Sequence, residues 1–483
     1  MRRTCCFAVA MALLLSAGWA RADVRLPKIF GDHMVLQQKT DAAVWGWAEA
    51  DEEVTVSLGE AKVTAKAGAD GKWQVKLATP AAGGPHELVV KGKNEIRLTD
   101  VLVGEVWIAS GQSNMEWTIK ASTNAAEEIK NANHPSIRMI KVGRNPSDKP
   151  LEDFEFVPNG STTSGWAVCT PETAPSFSAV GFFFARKLST ELGVPVGVVS
   201  SNWGGTIAEA WTSHETLAAD TEWFGPILER GKEFKAGDPN QPSVLYNSMV
   251  QPLVPLSIRG AIWYQGESNV GRAEQYAKLF PAMIADWRKS FGQGDFPFLF
   301  VQLAPYKYDK AKSTGQLPEL WEAQLKTLAA SPNTGMCVTT DIATLNDIHP
   351  PNKQDVGLRL ALWALATTYN KSDLAYSGPL YDSMAVEGNK IRIKFKHAAG
   401  GLTAHGDKPL SHFTIAGDDQ KFVPAMAEID GETLLVSSPD VPKPAAVRFG
   451  WDDWAEPNLF NKADLPASPF RTDSFPMVTA GRK

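Results

Sequence analysis

Five apolar runs in the middle of the chain, each followed by a helical pattern or a small polar cluster, restrict the fold more than any other feature. The first, Val101 to Ala109, is nearly continuous, which marks a strand buried on both faces. Val196 to Ser200, Ile258 to Tyr264, Phe298 to Leu303 and Met336 to Thr340 repeat the pattern. Helices are predicted between and after them. Phe177 to Leu192 places Val180, Phe183, Phe184 and Leu188 on one side and stops at Gly193, a C-cap residue. Gln275 to Phe291, Leu320 to Ala329 and Val356 to Thr368 follow. Strands alternating with helices predict an α/β fold, a parallel sheet covered by helices on both faces.

The flanks differ. From Val44 to Leu98, short alternating strands are separated by Gly59, Asp70-Gly71 and Gly83-Gly84-Pro85, the texture of a small β-sandwich. After residue 376 that texture returns, with Lys390 to Lys396 alternating at period two. The expected organisation is an N-terminal β-sandwich over 23–99, an α/β domain over 100–375, a β-rich domain over 376–445 and a segment over 446–483 that returns to the α/β domain. Residues 1–22 read as an export signal. Arg2 and Arg3 precede the apolar run Phe7 to Ala17, and Ala20-Arg21-Ala22 offers a small-x-small cleavage site. The run is short for a bilayer, so a membrane anchor is the weaker alternative and no stable membrane insertion is expected. Cleavage near Ala22 would place the protein in the periplasm or outside the cell, and would take the formal charge from −6 to −9.

With 48 basic against 54 acidic residues, nucleic acid is not an expected partner. Cys169 and Cys337 remain after the leader, as one bridge or as two buried thiols. No Cys/His spacing resembles a metal site. Sixteen tryptophans are many for this length; an indole can stack on a sugar face, but the count alone favours core packing.

Ligands of open parallel sheets bind beyond the carboxyl ends of the strands. Four polar clusters stand there: Gly111-Gln112-Ser113-Asn114-Met115, Ser201-Asn202-Trp203-Gly204-Gly205-Thr206, Gln265-Gly266-Glu267-Ser268-Asn269 and Asp347-Ile348-His349-Pro350. Ser113 is a candidate nucleophile, although taken alone it reads more readily as a helix N-cap. His349 is the candidate base, with Asp347 or Asp341 to orient it. Gly204, Gly205 and Gln265 are candidate oxyanion donors. Glu267 reads more readily as a structural acceptor than as a participant. There is no G-x-S-x-G, which disfavours a nucleophile elbow.

The segments GQSNMEW, SNWGGT, WYQGESN and NDIHPPNKQDVGLRLA together resemble the sialate O-acetylesterase family of SGNH (GDSL-like) hydrolases. LPKIFGDHMVLQQ, LYNSMVQPL and NLFNKADLPASPFRTD extend the resemblance over nearly all of the chain beyond the leader. It implies a flavodoxin-like three-layer α/β/α core and hydrolysis of O-acetyl esters on sugars, without metal or cofactor. It implies Ser113 as nucleophile, His349 as general base, and an oxyanion hole from the Ser113 N–H, Gly204 or Gly205, and Gln265, with Asn269 as the alternative to Gln265. The wider superfamily carries its acid three residues before the histidine. That position is Asn346 here, so Asp347 is the expected orienter, with Asp341 or a bare dyad as alternatives. Gln112, Asn114, Trp203, Asn247, Glu267 and Asn269 are expected at the substrate, and Trp117, Trp263, Trp451 and Trp454 are further pocket candidates. A sialic acid would need a cation for its carboxylate, such as Arg272 or Arg448. An acetylated plant polysaccharide such as xylan is the alternative substrate, and a non-catalytic sugar-binding protein the alternative of another class.

Overall fold

The strand Glu95–Gly111 organises the molecule. Its first half pairs antiparallel with Gly83–Lys91 and parallel with Val35–Gln37. Its second half lies parallel between Val196–Asn202 and Gly260–Tyr264. Every residue from Val101 to Gly111 is buried, as a strand covered on both faces requires. The computed structural model describes residues 23–156, 165–398, 400–406 and 408–483, so the expected leader over 1–22 lies outside the described residues.

The central sheet runs, in spatial order, Thr334–Cys337, Phe298–Val301, Gly260–Tyr264, Glu95–Gly111, Val196–Asn202, His134–Lys141 and Ala167–Cys169. The first six are mutually parallel and the last is antiparallel. Helices Ala179–Leu192 and Lys353–Thr367 pack on each other and on the sheet, as do Ala273–Phe291 and Gln316–Ala330. The first pair approaches closely at Gly357, where a Cβ would stand 2.6 Å from the Phe183 Cβ. The helix Ala179–Leu192 begins where Ser178 accepts the Gly181 N–H and ends at Gly193 with φ +65°. The result is the α/β architecture expected, with additional β-sheets.

The N-terminal strands are not separated from the α/β unit at residue 100. That position falls inside Glu95–Gly111, and one apolar core runs from Val24 to Leu380 through both regions. A second core, Ile391 to Phe470, belongs to the C-terminal strands and includes Phe449, Leu459 and Phe470. The chain end also grips the helix Gln316–Ala330. Asp453 accepts the Thr314 and Leu317 N–H groups at 2.6 and 3.0 Å, filling the role of an N-cap from another part of the chain. Arg471 pairs with Glu322 at 3.1 Å, and Glu319 accepts the Thr479 N–H at 2.9 Å. No helix among the described residues is long and apolar enough to cross a membrane.

Cys169 and Cys337 are free, buried thiols, which removes the alternative of a bridge between them. Burial pushes both up to about 12. A thiol reagent at neutral pH should therefore leave these two residues unmodified in the folded protein and modify both after unfolding, as read by peptide mass. Modification in the native state would contradict this burial.

Candidate active site

The four polar clusters converge at one edge of the parallel sheet. Ser113 opens the short helix Ser113–Glu116, with Gln112 at its N-cap position. Gly111 has φ +132°, and a Cβ there would run into the Tyr264 carbonyl, so glycine lets the strand turn this close to its neighbour. Ser178, the N-cap of the long helix, donates to the Met115 carbonyl at 2.6 Å and holds the turn from behind.

His349 Nε2 lies 2.9 Å from Ser113 Oγ. Trp117 stacks on the imidazole, with centroids 5.0 Å apart and planes 17° from parallel. Asp347 Oδ1 stands 3.4 Å from His349 Nδ1, a charge contact longer than a good hydrogen bond, and accepts the His349 backbone N–H at 2.9 Å. Asp341 is not beside the histidine pair: it is held bidentate by Arg359 at 2.7 and 2.6 Å. Burial lowers the His349 pKa below its ordinary 6.5, opposed by Asp347, so the imidazole is mainly neutral at neutral pH.

Asn114 ties these segments together. Its amide donates to Glu267 Oε1 at 2.6 Å and to the Ile348 carbonyl at 3.0 Å, and its oxygen receives Lys353 Nζ at 2.5 Å. The Ser113 turn, the histidine loop and the third cluster thus meet on one side chain. Lys353 is fully buried, with its ammonium 5.3 Å from the Tyr264 ring and 5.8 Å from that of Trp117. Burial pushes it down to about 7, against the attraction of Glu267 and Asp347. Burial also raises the Glu267 carboxyl, one of whose oxygens has no partner among the described residues.

Several expected donors are committed elsewhere. The Gln265 amide, wholly buried, donates to the Thr206 carbonyl at 3.1 Å and to Asn269 Oδ1 at 2.6 Å, while its oxygen accepts Tyr276 Oη at 3.2 Å. Asn269 in turn donates to the buried Glu209 at 2.8 Å. These two amides bind the second cluster to the third and leave neither free to receive an oxyanion. The Gly204 N–H is taken by Glu116 Oε2 at 2.9 Å, whereas the Gly205 N–H, at φ +75°, makes no hydrogen bond among the described residues. The Gln112 side-chain oxygen accepts the Gly266 N–H at 3.3 Å and its backbone N–H donates to the Tyr264 carbonyl at 2.9 Å, while its side-chain NH2 meets no acceptor among the described residues.

Placement of the other expected residues varies. Trp203 sits at the edge of the site beneath Arg144, 5.7 Å from ring to guanidinium. Trp263 is core, packed edge-on to Trp211 and Trp287. Asn247 lines a separate groove with Ser243, Tyr246 and Asp286, and its amide pins the Ser147 carbonyl at 3.1 Å. Trp451 is flanked by Arg448 and Arg471, a docking role, and Trp454 lies under Lys307. Arg272 is paired with Glu209 and Arg448 with Asp473, each at 2.7 Å, so neither offers a free cation near Ser113. Sequence reasoning overlooked Glu116, Lys353 and Arg144. The first two stand inside the quoted segments GQSNMEW and NDIHPPNKQDVGLRLA, so their position was a usable signal.

Lys353 gives a measurable linkage. Its pKa is depressed in the folded state from 10.5 to about 7, so between these values the unfolded chain binds the extra proton. The stability of the native protein relative to Lys353→Met should rise with pH across that window, by up to about 1.4 kcal/mol per unit. A pH-independent difference in denaturant unfolding would show that Lys353 is not buried as described.

Residues 103–365 match the family model for carbohydrate esterases described as sialic acid-specific acetylesterase. The sialate O-acetylesterase of Homo sapiens is 30% identical over 490 residues, covering 92% of this chain and 92% of that one. The enzyme of that name from Rattus norvegicus is 30% identical over 525 residues, covering 95% and 97%. Among solved structures, a carbohydrate acetylesterase from Xanthomonas citri superposes with a TM-score of 0.84 at 39% identity, over 94% of this chain and all of that one. The segments that build the serine–histidine edge all lie within the region matched, and the chain belongs to the sialic acid-specific acetylesterase family of carbohydrate esterases, a family of carboxylic ester hydrolases.

Proposed function

We propose that this protein removes O-acetyl groups from sugars of the sialic acid type by a serine mechanism, without metal or cofactor, after export from the cytoplasm. The 2.9 Å contact between Ser113 Oγ and a largely neutral His349 carries the reading. His349 Nε2 takes the hydroxyl proton as Oγ attacks the acetyl carbonyl carbon. The Ser113 N–H, at the first helical position, has no intrahelical acceptor, and the Gly205 N–H has none among the described residues. These two groups receive the developing oxyanion. Collapse breaks the carbon–oxygen bond to the sugar, whose oxygen takes the proton from His349. Water then attacks the acetyl-serine while His349 accepts its proton. Acetate departs and the proton returns to Ser113 Oγ. Asp347 steadies the imidazolium across 3.4 Å, and Trp117 limits rotation of the ring. Gly204 supports the site through Glu116 rather than by donating to the substrate.

Export rests on the basic, apolar and small-residue pattern of residues 1–22. Ser113→Ala should lower acetate release from O-acetylated sialosides by about 1000-fold or more with the fold intact by circular dichroism. Retained turnover would remove Ser113 from the chemistry. A panel including acetylated xylan would separate the substrate classes. Since the base must be unprotonated, the acid limb of kcat/KM on an aryl acetate should have its midpoint below 6.5. A midpoint above that value would contradict the placement of His349.

A further inference from the structure

Beside the nucleophile lies a group of cations that the reaction itself does not use. The strand His134–Lys141 ends alongside Val196–Asn202, with Lys141 opposite Ser200, so Lys141 and the loop after it emerge at the same sheet edge as Ser113. Arg144 extends from this loop over the Trp203 ring and pairs with Glu116. Glu116 holds the Gly204 N–H, and Gly204 lies so close to the nucleophile that a Cβ there would be 3.2 Å from Ser113 Cβ. Arg144 is therefore separated from Ser113 by one side chain and one glycine.

The position is prepared. Ser147 N–H donates to the Val244 carbonyl at 3.1 Å and Leu151 N–H to the Asn247 carbonyl at 2.8 Å, so the Arg144 loop is fastened before any ligand arrives. Glu116 is the only ion-pair partner of Arg144 among the described residues, and its guanidinium side chain is 35% exposed, leaving donors for another acceptor. Lys141 is half-buried and its ammonium makes no hydrogen bond or ion pair among the described residues. Burial lowers its ammonium pKa, opposed by the Glu116 carboxylate and reinforced by the charges of Arg144 and Lys120. Arg144 and Lys141 thus share one neighbouring carboxylate, Glu116, on a chain whose formal charge is −6. A planar guanidinium backed by an indole suits a carboxylate, while a neutral sugar would gain little from it.

We propose that Arg144, backed by Trp203 and supported by Lys141, receives the carboxylate of an acidic O-acetylated sugar and thereby selects sialic acid-type substrates over neutral ones. This rests on the esterase reading of Ser113 and names what sets its specificity. Arg144 is a specificity residue and not a participant in bond breaking.

The test compares acetate release from an O-acetylated sialoside and from its carboxyl methyl ester, in the native protein, Arg144→Gln, Arg144→Lys and Lys141→Met. The native protein should favour the free acid. Arg144→Gln should raise KM for the free acid by roughly 10- to 100-fold relative to the methyl ester, with Arg144→Lys intermediate and Lys141→Met a smaller change in the same direction. The ratio within one variant cancels any disturbance passed through Glu116 to Gly204. Equal handling of acid and ester by the native protein, or an equal loss on both in Arg144→Gln, would overturn the proposal. Turnover of acetylated xylan with none of either sialoside would overturn it while sparing the serine esterase reading. Inactivity on all three and on an aryl acetate would overturn both.

Discussion

The amide of Asn114 is the contact on which the site depends. Ser113 and His349 belong to segments 236 residues apart, and a reacting pair must be placed to within a fraction of an ångström. Asn114, next to Ser113, donates to the carbonyl of Ile348, next to the histidine, and so fixes one segment against the other through adjacent residues. Its remaining donor and its acceptor are occupied by Glu267 and Lys353. A buried amide with all of these bonds satisfied is rigid, and a buried amide missing one of them is costly. Lys353 is therefore kept in an environment that lowers its own pKa, because the alternative is an unpaired Asn114 oxygen beside Ser113.

A similar division of labour explains the second and third clusters. The buried Gln265, Asn269 and Glu209, with the part-exposed Arg272, form a chain of polar contacts that closes the sheet edge from below. Glu116 holds Gly204 from the side. With these groups occupied in positioning, the proposed mechanism assigns the developing negative charge to the backbone N–H groups of Ser113 and Gly205. Backbone donors held by a tight turn need little reorganisation when charge develops.

The sheet was legible because its central strands are buried on both faces: all seven residues of Val196–Asn202 are buried, and the first of them, from Val196 to Val199, are apolar or glycine. The strand His134–Lys141 was not legible. It contains Pro135 and Ser136, and its buried Arg138 is neutralised by Asp100, a partner no local pattern reveals. The family segments marked the right edge of the sheet, yet they did not separate residues that face the nucleophile from those that brace it. Gln265 and Trp263 illustrate why. They are two residues apart and share a face, and both contact the helix Ala273–Phe291, Gln265 through Tyr276 and Trp263 through Trp287. Tyr264 points the other way, toward Lys353. Strand parity carried this information once Tyr276 was known to cover that face. The commitment of the Gly204 N–H to Glu116 depends on side-chain direction in a short turn, which spacing does not encode.

The central claim is that Ser113 Oγ becomes covalently acetylated. Rapid acid quenching of the enzyme during turnover of an activated acetyl ester, followed by peptide mass mapping, tests it directly. The account predicts one added acetyl group on the peptide containing Ser113, absent in Ser113→Ala. Turnover with no acetyl group on that peptide under conditions where deacetylation limits the rate, or with the acetyl group on another residue, would contradict it.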